Sequence, residues 1–311
     1  MRITIMGSGG VGGYFGARRA QAGCDVTFVA RGAHLAALRA HGLRVLSPLG
    51  DIHFAQPQLT DDPAAAVSAD LVLFGVKLWD TEAAAARIRS LVGPQTAVIS
   101  FQNGVVKDDL LRATLGDAAV AGGVCYIAAT IAEPGVIRHT GTMQKLVFGE
   151  FDGQSSPRLQ AFAQACEAAG VTVELTDRIR RAQWEKFVFL VGLSATTAAA
   201  RVPIGVIRSH PRSRALLHDL MDEVVQVARA EGVDLPADYA AQRLVFADGL
   251  PATMSASMHH DLQRGARLEL PWLSGDVVAR GRRLGVATPC NRAIVDLLAV
   301  HAEGAPAVAL G

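Results

Sequence analysis

The chain opens on an apolar run that ends in three regularly spaced glycines. Residues 2–13 read R-I-T-I-M-G-S-G-G-V-G-G, so Gly7, Gly9 and Gly12 follow the spacing G-x-G-x-x-G. The almost entirely apolar residues 3–6 are typical of a buried parallel strand. In this spacing the first glycine permits a tight turn, and the second lets a pyrophosphate approach the backbone. The third lets the following helix pack closely on the strand.

The residues after the turn favour a helix that points at a bound anion. Residues 14–22 predict a helix that ends before Gly23, where a terminating glycine is expected. Its N-terminal N–H groups and the positive end of its dipole would face the phosphates of a ligand. We therefore predict a dinucleotide site; a strand–turn–helix without a ligand is the alternative. The predicted site residues are Gly7, Ser8, Gly9, Gly10, Val11 and Gly12.

The second predicted strand, residues 25–30, indicates which dinucleotide binds. NAD-binding proteins place an acidic residue at the end of this strand, on the ribose 2′-hydroxyl. Here Arg31 follows the strand, and no Asp or Glu lies between Val26 and Asp51. A guanidinium can bind a 2′-phosphate and stack on adenine, whereas a carboxylate would repel the phosphate. The sequence predicts NADP as the cofactor; a solvated loop arginine is the alternative.

Composition and charge narrow the class of protein. Of the 311 residues, 50% are hydrophobic and 19% are charged, which suffices for a sizeable core in one large domain or two ordinary ones. The formal net charge is only +1, and no charged block favours nucleic acid or an anionic membrane as partner. The longest uncharged runs, residues 118–132 and 187–200, fall short of the ~20 residues needed to span a bilayer.

The N-terminus and the cysteines favour the cytoplasm. No basic region, apolar stretch and cleavage site precede the first strand, so we predict no signal peptide. The cysteines are far apart and form no C-x-x-C motif; they are Cys24, Cys125, Cys166 and Cys290. Free thiols, with Cys24 and Cys125 buried beside apolar strands, fit a reducing compartment better than a disulfide framework does.

The order of predicted elements indicates a Rossmann-type α/β domain followed by an all-α domain. Strands alternate with helices up to residue 177, which predicts a doubly wound parallel sheet with antiparallel additions. Predicted strands cover residues 3–6, 25–30, 43–47, 52–54, 71–76, 97–100, 120–126, 136–140, 145–149 and 171–176, with 43–54 and 136–149 as hairpins. Predicted helices cover residues 14–22, 34–41, 80–92 and 157–169, then 180–199, 212–231, 237–247, 271–284 and 291–302. We expect an NADP-binding domain at residues 1–177 and a helical substrate domain at residues 178–311.

Two polar residues directly follow predicted core strands. Lys77 follows the predicted strand at residues 71–76 and Asn103 follows the one at residues 97–100, so both should lie beside the glycine turn, at the sheet edge where ligands bind. A surface lysine and a turn-forming Asn-Gly pair are the alternatives. Ala128, just past the strand at residues 120–126, is the remaining predicted cofactor contact.

Lys186 enters an apolar helical stretch, W-E-K-F-V-F-L-V-G-L. At four-residue spacing Lys186, Leu190 and Ser194 share one helix face. A partly desolvated lysine has a depressed pKa and becomes a credible proton donor near neutral pH. A lysine that extends its ammonium to solvent is the alternative.

Ser257 and Glu269 are twelve residues apart in the predicted helical region. Gly265 is expected to interrupt this region, so that the two side chains face one cleft from different segments. Pro271 suits the first turn of the next helix, which places Glu269 near its N-terminus. His259 and the histidine after it point apart on a helix and match no metal-binding spacing, so we predict no metal.

Taken together, these motifs resemble the ketopantoate reductase family over nearly the whole chain. The resemblance rests on the glycine turn, Arg31, Lys77, Asn103, the W-E-K around Lys186, the 257–269 segment and P-G-V-I-R-H-T-G at residues 134–141. It implies NADPH-dependent reduction of ketopantoate (2-dehydropantoate) to pantoate, in the biosynthesis of pantothenate and coenzyme A.

The resemblance also implies roles for individual residues. Lys186 corresponds to the catalytic lysine and Glu269 to its acidic partner. Ser257 corresponds to the serine that binds the substrate carboxylate, and Asn103 to the asparagine between cofactor and substrate. Lys186 would protonate or polarise the oxygen on C2, where alkoxide charge develops as hydride arrives.

The chain departs from the family pattern at two positions. The family has asparagines four and eight residues after the lysine, where this chain has Leu190 and Ser194. A less polar wall affects substrate specificity more than hydride transfer. Ketopantoate reductase is the first reading, a paralogous NADPH-dependent reductase of another 2-keto acid or an imine the second, and a non-catalytic NADP-binding sensor the third. The helical domain is compatible with a monomer or a homodimer.

Overall fold

A computed structural model describes residues 1–66 and 68–305 of the chain. The chain divides into two units, Met1–Ala182 and Gln183–Gly311. The first unit carries the sheet and the second is helical. This confirms the predicted fold class, a parallel-dominated Rossmann-type sheet followed by an all-α region.

The strands all lie in the first unit. They are β1 (Arg2–Met6), β2 (Asp25–Val29), β3 (Leu43–Leu46), β4 (Ile52–Phe54), β5 (Gln58–Thr60), β6 (Leu71–Phe74), β7 (Ala97–Ser100), β8 (Val120–Glu133), β9 (Val136–Gly149) and β10 (Thr172–Leu175). The helices of this unit are α1 (Gly10–Gln21), α2 (Gly32–His41), α3 (Thr81–Arg87), α4 (Val106–Leu115) and α5 (Pro157–Ala168). Short 3-10 turns cover Pro63–Ala65, Leu78–Asp80, Arg89–Leu91 and Asp117–Ala119.

The sheet has the strand order β4-β3-β9-β8-β7-β6-β1-β2-β5, with β10 paired to β9. From β8 through β5 every neighbouring pair is parallel, which brings the carboxyl ends of β1, β2, β6 and β7 to one edge. The strands β6 and β7 are buried along their whole length, as apolar strands covered on both faces are. This edge is where doubly wound sheets bind ligands.

The predicted hairpin at residues 136–149 is wrong, because these residues form one strand, β9. The chain reverses earlier, at Gly135, which has a φ of +84°. The whole of β9 then runs antiparallel to β8, and the register shifts from His139 opposite Ala129 to Gln144 opposite Ile127. Gly141, whose φ of +75° suggests a turn, is therefore absorbed in a bulge between two paired stretches.

Several other predictions of local structure need correction. The predicted helix 80–92 is two 3-10 turns around the short α3, and the last two residues of the predicted strand 71–76 are loop. Strand β5 and helix α4 were not predicted from the sequence. Cys125 is buried as predicted, whereas Cys24 is only half-buried; all four cysteines are free.

The second unit is built from helices. The long helix α6 (Ile179–Ala200) runs into it and is followed by α7 (Ile204–Ser209), α8 (Pro211–Ala230), α9 (Tyr239–Asp248), α10 (Ser257–Gln263), α11 (Ser274–Leu284) and α12 (Pro289–Leu298). The buried carboxylate of Glu223 in α8 accepts hydrogen bonds from the backbone N–H groups of Cys290 (2.6 Å) and Asn291 (2.9 Å), which fixes the N-terminus of α12.

Two helices of this unit were missed and two were predicted with wrong ends. The missed helices are α7 and α10. The predicted helix 271–284 begins only at Ser274, because residues Leu270–Trp272 form a 3-10 turn. The predicted helix 291–302 ends at Leu298 and continues as a 3-10 turn, Ala299–His301. None of the helices in residues 1–66 and 68–305 combines the length and the hydropathy that a membrane-spanning helix needs.

Candidate active site

The three spaced glycines have different surroundings. Gly7 has a φ of +99°, and a Cβ on it would lie 2.7 Å from the backbone nitrogen of Val76. A Cβ on Gly12 would lie 2.2 Å from the carbonyl oxygen of Gly7. A Cβ on Gly9, by contrast, would meet no atom within 4 Å. The fold itself therefore requires glycine at positions 7 and 12, whereas Gly9 borders open space.

The start of α1 also packs closely on β8. A Cβ on Gly10 would lie 2.2 Å from the carbonyl oxygen of Ala129. The neighbouring Ala128 is exposed and lies at the register shift between Ile127 and Ala129, so the predicted contact residue sits on a bulge beside the start of α1. Val11 is half-buried and packs against the core.

Two side chains hold the glycine turn in place. The Ser8 hydroxyl donates to the carbonyl oxygen of Val29 at the end of β2 (2.9 Å). The Gly135 N–H donates to Nδ1 of His34 (3.1 Å), so Nε2 of this histidine carries the proton and donates to the Ser8 carbonyl oxygen (2.9 Å). Burial lowers the pKa of His34 below its ordinary value of 6.5, against the opposing effect of the Ser8 hydrogen bond. The neutral ring thus ties the turn to α2 and to the β8–β9 reversal.

The guanidinium of Arg31 forms an ion pair with the carboxylate of Asp80. Arg31 is the residue before α2, and its side chain is 78% exposed; Asp80 ends the 3-10 turn that follows β6 and is 25% exposed. The absence of acidic residues directly after β2 in the sequence did not reveal this partner. Asp80 comes from the turn that follows β6, 49 residues further along the chain.

Lys77 and Asn103 lie on adjacent loops at the carboxyl edge of the sheet. Lys77 is exposed, with its ammonium 5.4 Å from the ring centroid of Trp79. Asn103 is half-buried in the loop after β7. The side chain of Gln102 connects the two loops, because its Nε2 donates to the carbonyl oxygen of Val76 and to the hydroxyl of Thr81, each at 2.9 Å.

A buried ion pair lies beneath the Asn103 loop. Lys107, only 1% exposed, donates to both carboxylate oxygens of Asp108. It also donates to the carbonyl oxygens of Ser100 and Gly123, each at 3.1 Å. All three N–H groups of the ammonium can therefore be satisfied without water. Neither Gln102 nor Lys107 was singled out from the sequence, since nothing in a local pattern marks a side chain that supports a neighbouring loop.

In the second unit, Lys186, Leu190 and Ser194 lie along α6. Lys186 and Leu190 are half-buried, and Ser194 is 1% exposed. The hydroxyls of Thr196 and Thr197 donate to carbonyl oxygens one turn earlier in the helix, at 2.7 Å each. The Ser194 hydroxyl has no hydrogen-bond partner in the part of the chain that the structure describes. It is thus a buried polar group that no neighbour among the described residues satisfies.

Ser257 and Glu269 come from different segments of this unit. Ser257 is exposed and begins α10, and Glu269 is half-buried and precedes the 3-10 turn at Leu270–Trp272. Between them Gly265 has a φ of +64°, so no single helix connects the two residues. The ring nitrogen Nδ1 of His259 is 2.6 Å from the carbonyl oxygen of Thr197, which places α10 against α6.

The residues of the first unit fit a bound dinucleotide. The space over Gly9 is open, and the N–H groups at the start of α1 precede the first intrahelical bond, from Gly13 to Gly9 (2.7 Å). Arg31 adds an exposed cation at the end of β2. Among residues 1–66 and 68–305, no group of three His, Cys, Asp or Glu side chains could hold a metal ion.

Family models, curated relatives and solved structures all match this chain to the same family. Residues 3–153 match the domain "Ketopantoate reductase PanE/ApbA", and residues 178–302 match its C-terminal domain. The 2-dehydropantoate 2-reductase of Halobacterium salinarum is 33% identical over 299 residues, which cover 96% of this chain and 98% of that protein. The crystal structure of a PanE/ApbA family ketopantoate reductase from Ralstonia eutropha JMP134 has a TM-score of 0.88 at 37% identity, covering 97% of this chain and 98% of that chain.

The fold is also found in a more distant protein. A D-mandelate dehydrogenase, solved as a ternary structure with NADH and anilino(oxo)acetate, has a TM-score of 0.86 at 20% identity and covers 97% of this chain and 98% of its own. That likeness concerns the fold alone. With both domain matches and relatives above 30% identity, the chain belongs to the ketopantoate reductase family of dinucleotide-binding oxidoreductases.

Proposed function

We propose that this protein reduces a 2-keto acid with NADPH, and that ketopantoate is the substrate and pantoate the product. The observation that carries the cofactor half is the open space over Gly9, flanked by glycines that the fold itself requires. Support for the substrate half is that relatives at 33%, 30% and 31% identity are named 2-dehydropantoate 2-reductase.

The cofactor would be held by the residues around the glycine turn. The N-terminus of α1 at Gly9 would hold the pyrophosphate, and Arg31 would bind the 2′-phosphate. The remaining contacts are assigned to Gly7, Ser8, Gly10, Val11, Gly12, Lys77, Asn103 and Ala128.

Bound NADPH supplies the hydride that reduces the C2 carbonyl carbon. Lys186 donates the proton to the carbonyl oxygen, and its positive charge stabilises the alkoxide more strongly in the transition state than in the ground state. Glu269 orients the ammonium of Lys186 or accepts a hydrogen bond from the substrate hydroxyl. Ser257 and Asn103 bind and orient the substrate.

Leu190 and Ser194 on α6, where the family has asparagines, suggest a second candidate substrate class. The Leu190 side chain offers no hydrogen bond, and the buried Ser194 hydroxyl has no hydrogen-bond partner among residues 1–66 and 68–305. A site with these groups would accept a 2-keto acid whose substituent is apolar or carries at most one hydroxyl. The second proposal is therefore an NADPH-dependent reductase of such a 2-keto acid, on the same catalytic residues.

Steady-state kinetics with a panel of 2-keto acids separates the two proposals. NADPH oxidation is followed at 340 nm with ketopantoate and with analogues that lack its 4-hydroxyl. The first proposal predicts the highest kcat/KM for ketopantoate. The lowest kcat/KM for ketopantoate in the panel would refute it and favour the second. The double variant Leu190→Asn/Ser194→Asn, which restores the family's two asparagines, is the matched control. Its kcat/KM for ketopantoate should rise relative to that for the analogues.

Two further assignments accompany the proposed function. The enzyme acts in the cytoplasm, which the four free cysteines support because they suit a reducing compartment. A homodimer stays a prediction, which sedimentation velocity would test.

A further inference from the structure

The ion pair between Arg31 and Asp80 bridges two loops at the mouth of the predicted dinucleotide site. Strand β1 pairs with β2 on one side and with β6 on the other. Arg31 follows β2 and Asp80 follows β6, so the pair extends across the end of β1, where the glycine turn begins. Both side chains are accessible, at 78% and 25% exposure.

Short contacts hold both loops against the glycine turn. The Ser8 N–H donates to the carbonyl oxygen of Val29 (3.2 Å), just before Arg31. The backbone of Gly75 and Val76 lies against Gly7, so closely that a Cβ there would be 2.7 to 2.9 Å away. The ion pair is therefore tied to the turn from both sides.

The two partners have opposite preferences for the ribose 2′ position. NAD-binding proteins place a carboxylate at the end of the second strand, where it accepts a hydrogen bond from the ribose 2′-hydroxyl. Asp80 follows β6, but its ion pair with Arg31 brings its carboxylate to the end of β2. A guanidinium binds the 2′-phosphate of NADPH. To bind Arg31, the 2′-phosphate of NADPH must break the ion pair between Arg31 and Asp80. The bound phosphate then lies close to the negative charge of the Asp80 carboxylate. The same carboxylate is a suitable acceptor when the 2′ group is a hydroxyl.

We propose that Asp80 is a cofactor-discriminating residue, which narrows the preference for NADPH and lets the enzyme use NADH as well. The proposal rests on the dinucleotide site of the proposed function. Removing the carboxylate should change the NADPH-to-NADH affinity ratio by about tenfold, the effect expected of one charge about 4 Å from a phosphate dianion in a solvated, screened site.

Fluorescence titration of the full-length protein with NADPH and with NADH tests the proposal by binding alone. Asp80→Asn should lower the Kd for NADPH, raise the Kd for NADH and shift their ratio about tenfold toward NADPH. Arg31→Ala should shift the ratio the other way. Glu82→Gln is the matched control, because it removes a carboxylate two residues away that forms no ion pair with Arg31 in the described structure; its ratio should stay at the wild-type value.

The outcomes distinguish this proposal from the proposed function. An unchanged ratio in Asp80→Asn, with tight binding retained, refutes the role of Asp80 and leaves the dinucleotide site standing. A wild-type protein that binds neither nucleotide refutes the site and the proposal together. The Asp80 side chain makes no capping hydrogen bond to α3, so Asp80→Asn is expected to unfold at the wild-type temperature. Asp80→Ala provides a second variant for the same ratio.

Discussion

Replacing Gly9 and Gly12 by alanine, one at a time, is expected to produce opposite defects. A Cβ at Gly9 would meet no atom within 4 Å, and the φ of −75° there is one that any residue adopts. A Cβ at Gly12 would lie 2.2 Å from the carbonyl oxygen of Gly7 and 2.9 Å from Cγ2 of Ile5. Gly9→Ala should therefore weaken dinucleotide binding, and Gly12→Ala should weaken folding.

The two losses of stability differ enough to be measured. At Gly12 the methyl group would press on a backbone oxygen that cannot rotate away, and overpacking of this kind costs about 3 kcal/mol. At ~2–4 °C per kcal/mol for a domain of this size, the unfolding temperature of Gly12→Ala should fall by roughly 6–12 °C. Gly9 precedes α1, so Gly9→Ala loses only the preference for glycine over alanine at this position, about 1 kcal/mol or less.

The loss of NADPH affinity should be larger for Gly9→Ala than for Gly12→Ala. A methyl group at Gly9 would occupy the place of the pyrophosphate, and a clash of ~1–3 kcal/mol raises the Kd for NADPH by about 10- to 100-fold. Gly9→Val should abolish binding of either dinucleotide. Fluorescence titration gives the Kd, and thermal unfolding monitored by circular dichroism gives the stability. If Gly9→Ala binds NADPH as tightly as the wild type does, the dinucleotide does not lie over this turn.

Three other substitutions test separate parts of the account. Lys186→Ala should lower kcat by roughly 100-fold or more with little change in NADPH affinity; an unchanged kcat would exclude this residue as the proton donor, and no turnover in the wild type would favour a sensor. Lys107→Ala should lower the free energy of unfolding by about 3–5 kcal/mol in urea titrations, because Asp108 is left buried and unpaired; a loss below about 1 kcal/mol would contradict this. Because burial lowers the pKa of folded His34, its neutral ring contributes stability above pH 6.5 that is lost as the pH falls below 6.5 toward the folded pKa. His34→Gln should therefore lose less stability than the wild type between pH 7 and pH 5 in urea unfolding, and an equal loss would refute this role.

Structural elements that depend on a run of neighbouring residues could be predicted from the sequence. The glycine turn, the buried β-strands around it and the long helix with Lys186 each carry a local pattern, and the fold class follows from their order. The predicted hairpin at residues 136–149 failed because pairing with β8 decides the path of that segment. Taken alone, a glycine such as Gly141 suggests a turn. Here the residues before it and the residues after it both pair with β8, so Gly141 lies in a bulge instead.

The supporting residues of the site could not be predicted for a related reason. Asp80 reaches Arg31 from the turn that follows a different strand, β6. His34 joins Ser8, 26 residues before it, to Gly135, 101 residues after it. Their roles exist only once the sheet has brought these loops together. Arg31 itself was visible from the sequence because it directly follows β2, but its acidic partner was not.

The most direct test of the proposed reduction follows deuterium from NADPH that carries deuterium at both positions of C4, so that the result does not depend on which face transfers the hydride. We predict that mass spectrometry of the pantoate finds one deuterium on C2, and that Lys186→Ala slows this transfer without changing where the label goes. Pantoate without deuterium, or label released to the solvent, would contradict direct hydride transfer and with it the proposed reductase.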